Sequence, residues 1–307
     1  MNVLITGING SAAQYLVDFI TENYPAVNVS GISRRIVPSD KYEVYQCDLS
    51  DLGATIRALK QLKPDYIFHL ASNADVKMSY ANPSAMLDNN INNTINLFEA
   101  IRILEIEPVV QMCSTSEVYG KPQYVPVCEN HPINPANIYA ISKLTQENIA
   151  KYYYEAFGCR VIITRAFGYI NPKRHNIFST AFAKQIAKIE QGKQDVLVHG
   201  NLESIRTLID VRDIVRAYWI AVEKCDYGVP YNIGGTQPFS VKEILHKLCE
   251  KSTIEPNLHE NPGLLRANDI TEQIPSVDKF KEVTNFVPQF SIDESLDYLM
   301  GYCRLNV

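Results

Sequence analysis

The sequence predicts an α/β fold, a Rossmann-like doubly wound parallel sheet with a smaller α/β substrate lobe. Three observations predict it. Short apolar runs alternate with amphipathic helical patterns up to about Thr164, the rhythm of parallel strands joined by crossover helices. A glycine pattern, Gly7-x-x-Gly10-x-x-Ala13, follows the first strand at once and opens the first helix. From Ala166 the strict alternation stops, with no linker, repeat or low-complexity run between the halves. The expected division is a dinucleotide-binding unit over 1–165, with a return of about 207–233, and a substrate lobe mainly over 166–307.

Val3-Leu4-Ile5 is the first strand. In the turn after it, Gly7 permits the bend, Gly10 lets the backbone approach a pyrophosphate, and Ala13 allows close helix packing. Asn9, between the two glycines, is assigned to the same cofactor site. The helix that follows, apolar at Tyr15, Leu16, Phe19 and Ile20, offers free N–H groups and a partial positive charge to phosphates. The next strand ends in Ser33-Arg34-Arg35. An acid usually stands near here to bind a ribose 2′-hydroxyl. Two guanidinium groups suit a 2′-phosphate instead, through charge-assisted bidentate bonds, so the expected cofactor is NADP. Two solvated surface arginines are the alternative. Asp48 and Leu49, after another short strand, are placed to meet adenine. The strand Tyr66-Ile67-Phe68-His69-Leu70 leads into Ala71-Ser72, and Leu70, Ala71 and Ser72 line the nicotinamide ribose side. His69, inside that strand, reads as a hydrogen-bonded core residue.

A long helix over about 83–104 carries Leu87, Ile91, Ile95 and Leu97. This helix and the one bearing Tyr139 are apolar enough for a subunit interface, and a homodimer is expected; burial within one subunit is the alternative. Pro108-Val109-Val110-Gln111-Met112-Cys113 reads as a buried strand, which puts Ser114-Thr115-Ser116-Glu117 at its C-terminal end, the edge where ligands bind in such sheets. Tyr139 and Lys143, four apart in a helical pattern, share one face. An ammonium beside a phenol favours phenolate and so gives a proton acceptor or donor usable near neutral pH. Glu117 adds a carboxylate, and Thr115 a hydroxyl that can hold a substrate oxygen. A sixth strand is expected over 159–164. Beyond it come a loop at Asn171-Pro172-Lys173-Arg174, a helix over about 178–191, strand candidates at 196–198 and 206–209, a helix over about 211–222 and a strand over 229–233. Ser240 caps another helix with Glu243 at capping-box spacing, and a last helix covers about 292–303.

Bulk composition narrows the function. The 307 residues are 46% hydrophobic and 21% charged, as expected of a soluble globular chain. A net charge of -5 without a long basic run argues against nucleic acid. The N-terminus lacks the basic flank of a signal peptide and no apolar run is long enough to span a membrane, so a cytoplasmic location is expected. Seven scattered cysteines without paired spacing read as reduced thiols, not bridges or a metal site.

Taken together, the glycine fingerprint, the loop at His69-Leu70-Ala71, the Ser/Thr segment and Tyr139-x-x-x-Lys143 resemble the extended short-chain dehydrogenase/reductase family of nucleotide-sugar enzymes, over essentially the whole chain. Within it, Ser114-Thr115-Ser116-Glu117-x-Tyr119-Gly120 is similar to the catalytic segment of GDP-mannose 4,6-dehydratases. The stretch from Gly200 to Arg206 is similar to the GDP-sugar segment of those dehydratases and of GDP-4-keto-6-deoxymannose reductases. The resemblance implies that Ser116, Lys184, Arg206 and Arg266 contact a GDP-hexose, the last three at its diphosphate, and that Asp269 meets the ribose. Three positions depart from the branch's usual pattern: Gly168 where Asn stands, Thr207 where Asp stands and Ala267 where Pro stands. The segment after Arg35 is short, which in length is closer to the reductases.

The activity so implied is a 4,6-dehydratase. Tyr139 removes the 4-hydroxyl proton as carbon 4 is oxidised. Glu117 then takes the proton on carbon 5 and helps expel water from carbon 6. Thr115 bonds the carbon 4 oxygen, and Lys143 also holds the nicotinamide ribose. A reductase that consumes NADPH needs the same Tyr139 and Lys143 and stands second. A 4-epimerase, a UDP-glucuronate decarboxylase and a non-catalytic nucleotide-binding regulator follow.

Overall fold

The first six strands run outward from a single switch point. The structure, a computed structural model, describes residues 1–75, 80–175, 177–264 and 270–307. Seven parallel strands form the central sheet: β1 (Asn2–Thr6), β2 (Asn28–Ser33), β3 (Glu43–Gln46), β4 (Tyr66–His69), β5 (Val109–Thr115), β6 (Val161–Ala166) and a late strand, β11 (Pro230–Ile233). Their order is β11-β6-β5-β4-β1-β2-β3. The order reverses between β1 and β4, so the loops leaving these two strands diverge and open a crevice at their carboxyl ends.

Helices α1 (Ser11–Asn23) and α6 (Val211–Lys224) cover one face of the sheet. Trp219 fixes α6 there, stacked on Tyr24 with ring centroids 4.3 Å apart and on Phe68 at 6.0 Å. Helices α2 (Leu52–Leu62), α3 (Pro83–Ile103) and α4 (Ile138–Phe157) cover the other. All three start with a side-chain cap, from Asp51, Asn82 and Asn137.

A second core lies beside the sheet. Helices α5 (Phe178–Glu190), α7 (Val241–Glu250) and α9 (Ile292–Leu305) pack together through Phe182, Ile186, Leu245, Leu299 and Met300. The expected capping box of Ser240 and Glu243 is formed at the start of α7. The expected 206–209 strand is broken at Leu208 into β9 (Ile205–Thr207) and β10 (Ile209–Asp210), which pair with different partners. Strand β9 lies between β12 (Pro238–Ser240) and β14 (Glu272–Gln273), and β10 pairs with β7 (Tyr169–Ile170). Strand β8 (Val196–His199) pairs with β13 (Asn257–Glu260). The short helix α8 (Asp278–Thr284) packs against β11.

Strand β6 begins two residues later than expected. Gly158, in the left-handed region at φ +70°, closes α4, and the Cys159 amide still bonds the Tyr153 carbonyl, so Cys159 belongs to the helix end. Among the described residues no helix is long and apolar enough to cross a membrane, and no cluster of metal-ligating side chains is found. All seven cysteines are free thiols.

Candidate active site

A cavity of about 960 Å³ opens at the carboxyl edge of the sheet. One half carries the residues expected to meet a dinucleotide. Gly7, at φ +68°, turns the chain after β1, and a Cβ there would lie 2.8 Å from the Ala71 backbone. Helix α1 starts at Gly10 without a side-chain cap, so its first N–H groups remain for a ligand. Asn9 ties this loop to the end of β2, donating from Nδ2 to Ser33 Oγ at 2.8 Å and to the Arg35 carbonyl at 3.3 Å. Arg34 lies in the cavity wall with Asp48, Leu49, Leu70, Ala71 and Ser72; Arg35 is exposed outside it.

The other half carries the residues expected to react. Strand β5 delivers Thr115, and a 3₁₀ turn over Ser116–Tyr119 presents Ser116 and Glu117. Thr115 Oγ1 caps that turn, accepting the Glu117 amide at 3.3 Å. Helix α4 brings Tyr139 and Lys143 to the same wall, both buried. Burial lowers the Lys143 pKa, against Cys113 and Glu147, which raise it. Burial also raises the Tyr139 phenol well above its ordinary value. The leading cation opposing that rise is Arg174, where the four-residue spacing points to Lys143. Arg174 donates to the Tyr169 hydroxyl at 3.4 Å and to the Ala74 carbonyl at 3.1 Å, at the cavity wall.

A buried polar network stands behind the wall. Thr94 spends its hydroxyl hydrogen on the Asn90 carbonyl at 3.0 Å, so His69 Nε2–H donates to Thr94 Oγ1 at 3.0 Å and Nδ1 accepts from Thr6 Oγ1 at 2.9 Å. Thr6 Oγ1 also accepts the Ala71 amide, which fixes the loop after β4. Burial pushes the His69 imidazole down to about 3 from an ordinary 6.5. Folded His69 therefore stays neutral where the unfolded chain binds a proton. Its contribution is full above pH 6.5 and is lost as the pH falls toward 3. We expect His69→Asn to flatten the fall in melting temperature over that window; an unchanged slope would contradict it.

The likeness to known proteins can be placed on this geometry. A family model described as GDP-mannose 4,6 dehydratase matches residues 4–299. The chain belongs to the GDP-mannose 4,6 dehydratase family. A family relative from Yersinia enterocolitica, named GDP-mannose 4,6-dehydratase, is 31% identical over 271 residues, covering 82% of this chain and 72% of that protein. A GDP-6-deoxy-D-mannose reductase from Pseudomonas aeruginosa is 25% identical over 304 residues, covering 97% and 96%. The solved structure of RMD from Pseudomonas aeruginosa complexed with NADPH superposes with a TM-score of 0.90 at 23% identity, covering 100% of this chain and 99% of that one, a likeness of fold.

Of the residues expected to meet a GDP-hexose, Ser116 lies in the cavity wall, whereas Lys184 and Arg206 do not. Lys184 lies outside it, with Nζ 2.5 Å from His175 Nδ1. Arg206 also lies outside, its guanidinium donating to the carbonyls of Ile205, Ile270 and Thr271. Arg266 and Asp269 fall outside the described residues. At Gly168 a Cβ would stand 2.9 Å from the Thr207 carbonyl, so the larger side chain usual in the family would push against backbone there. Arg174, in the cavity wall, and Asn137, which touches Glu117, are two residues here that the sequence did not point to. Arg174 was visible only as part of a loop, and Asn137 only as a residue type that caps helices.

Proposed function

We propose that the protein is an NADP-dependent nucleotide-sugar 4,6-dehydratase acting on a GDP-hexose, in a cytoplasmic homodimer. The observation that carries the reading is Glu117. Its carboxylate shares one cavity wall with Thr115, Tyr139 and Lys143. In this reading residues 1–165 and the returning strand hold the cofactor, and 166–307 mainly hold the sugar nucleotide.

The residues present fit a dinucleotide. The Gly7 turn against Ala71 leaves no room for a side chain, the α1 N-terminus is uncapped, and Arg34 lies in the same wall. When bound, NADP would accept hydride from carbon 4 of the sugar and return it to carbon 6. Tyr139 takes the 4-hydroxyl proton, and Thr115 holds the oxygen. The ketone so formed acidifies the proton on carbon 5. Glu117 takes that proton and passes it to the hydroxyl on carbon 6, so that the carbon–oxygen bond there breaks, water leaves and a carbon 5–carbon 6 double bond forms. Once carbon 6 is reduced, carbon 5 takes back one proton, which balances the one Tyr139 removed from the 4-hydroxyl. Lys143 steadies the phenolate and the nicotinamide ribose. Lys184, Arg206 and Arg266 are proposed for the diphosphate, Ser116 for the sugar and Asp269 for the ribose. The first two must turn inward to do so.

Incubation with GDP-mannose, UDP-glucose and dTDP-glucose in parallel, read by mass spectrometry, tests the base. Water loss from the GDP sugar alone is expected; loss from a UDP or dTDP sugar alone overturns the GDP assignment. Arg34→Asp tests the cofactor. One charge-assisted contact is worth roughly 1.5–3 kcal/mol, or about ten- to a hundredfold in affinity, so the parent's preference for NADP over NAD should mostly vanish. Equal affinity of the parent for both, by calorimetry, would exclude NADP selectivity.

The GDP-4-keto-6-deoxymannose reductase is the second reading. It is favoured by the near end-to-end match to the Pseudomonas aeruginosa reductase.

A further inference from the structure

Asn137 makes two hydrogen bonds with one side chain, and they join the two halves of the reactive site. It is the N-cap residue of α4, in extended conformation at φ -150° and ψ 166°. Its Oδ1 accepts the Ala140 amide at 2.8 Å, the ordinary capping bond. Its Nδ2 donates to Glu117 Oε2 at 2.7 Å, across twenty residues of sequence. Tyr139 stands two residues further on, in the first turn of the same helix. One planar amide thus ties the 3₁₀ turn carrying Glu117 to the helix carrying Tyr139 and Lys143.

The chemistry of the amide suits this arrangement. Ser, Thr and Asp can also cap a helix. A carboxylate cap has no hydrogen to give to Glu117, and a hydroxyl is shorter in reach. Asn alone among the good caps carries an acceptor and a donor on opposite arms of one rigid group. The bond to Glu117 is charge-assisted and short, the stronger kind. It also fixes a side chain that otherwise has several rotamers to lose. With Oε2 held, Oε1 is left as the oxygen that can meet a substrate proton.

We propose that Asn137 is a positioning residue for Glu117, fixing the carboxylate for proton abstraction from carbon 5 without taking part in oxidation at carbon 4. The inference rests on the dehydratase reading of the site. Its consequence is selective. Loss of the Nδ2 donor should slow water release and spare the earlier Tyr139 step, so reduced cofactor should build up. A residue that merely caps α4 would slow both steps together.

The test uses the full-length protein, GDP-mannose and no added reductant, with reduced nicotinamide followed by absorbance and dehydrated product by mass spectrometry. Asn137→Asp keeps the cap and removes the donor. It also sets a second carboxylate against Glu117, so we expect reduced cofactor that accumulates, and dehydration slowed by at least about ten- to a hundredfold, the worth of the lost charge-assisted hydrogen bond. Asn137→Ala removes cap and donor, and should add a lower melting temperature to the same signature. If Asn137→Asp does not fold, Asn137→Ser keeps a capping oxygen of shorter reach and carries the same expectation. Dehydration at the parent's rate in the capped variant, or slowing without accumulation of reduced cofactor, overturns the inference. Glu117→Gln measured alongside separates the two failures. If Glu117→Gln stalls after carbon 4 oxidation and Asn137→Asp does not, only the role of Asn137 is wrong. If Glu117→Gln dehydrates normally, or the parent releases no water, the dehydratase reading fails and the role of Asn137 falls with it.

Discussion

Glu117→Gln is expected to stop the reaction half-way. Glutamine keeps the size and the hydrogen bond that Asn137 offers, but it cannot take a proton. Oxidation at carbon 4 depends on Tyr139, so it should proceed. Reduced cofactor should then accumulate, with no dehydrated sugar nucleotide. Tyr139→Phe removes the phenol that begins the sequence, and neither reduced cofactor nor product should appear. General acid and base groups contribute about 10²–10⁴ in rate, so each loss should be plain in a simple assay. The two variants differ in where the reaction stalls, which a general loss of folding cannot imitate. A reductase would behave otherwise. Its Glu117→Gln variant would still oxidise NADPH when given a 4-keto-6-deoxy sugar nucleotide.

Arg165→Met is expected to destabilise the protein by about 3–5 kcal/mol, the usual effect of leaving one member of a buried ion pair alone. Arg165 and Glu147 are both almost fully buried, with Nη2 and Oε2 2.7 Å apart. Arg165 also donates to the Tyr119 hydroxyl at 2.9 Å, and Tyr119 donates to Asn232 Oδ1 at 2.8 Å. Ser114 donates to the other oxygen of Glu147. The pair thus joins α4, β5 and β6 one helical turn behind Lys143. Replacing both members, Glu147→Met with Arg165→Met, removes the stranded charge and should recover much of the loss. Urea unfolding of the two single variants and the double variant checks this. A double variant no more stable than the singles would place the cost in packing instead.

The residues that were legible in the sequence are those whose chemistry is set by local spacing. Gly7 and Gly10 stand in one turn, Thr115 and Glu117 at one strand end, Tyr139 and Lys143 on one helix face. Each group needed only its own element to be right, and the structure brings all of them to one cavity. The alternation of strands and helices likewise pointed to a parallel doubly wound sheet, but the order of its strands is seen only in the structure. What stayed hidden depends on contacts between distant segments. Asn137 reaches Glu117 only because α4 starts beside the 3₁₀ turn. Arg174 opposes the rise of the Tyr139 phenol only because its loop folds back to Ala74 and Tyr169. Strands β7, β12, β13 and β14 are too short to show a period, and distant partners in sequence define them. Arg206 shows the reverse case. Its type and place suit a diphosphate, but in the structure its guanidinium bonds to three backbone carbonyls.

The most direct test of the central claim follows one hydrogen. GDP-mannose carrying deuterium on carbon 4 is incubated with the purified protein and catalytic NADP, and the product is analysed by mass spectrometry and NMR. A 4,6-dehydratase should give a product lighter by one water, with the deuterium moved to carbon 6 and no net change in reduced cofactor. An unchanged hexose with deuterium still on carbon 4, together with net oxidation of NADPH when a 4-keto-6-deoxy sugar nucleotide is supplied, would contradict the dehydratase and leave the reductase in its place.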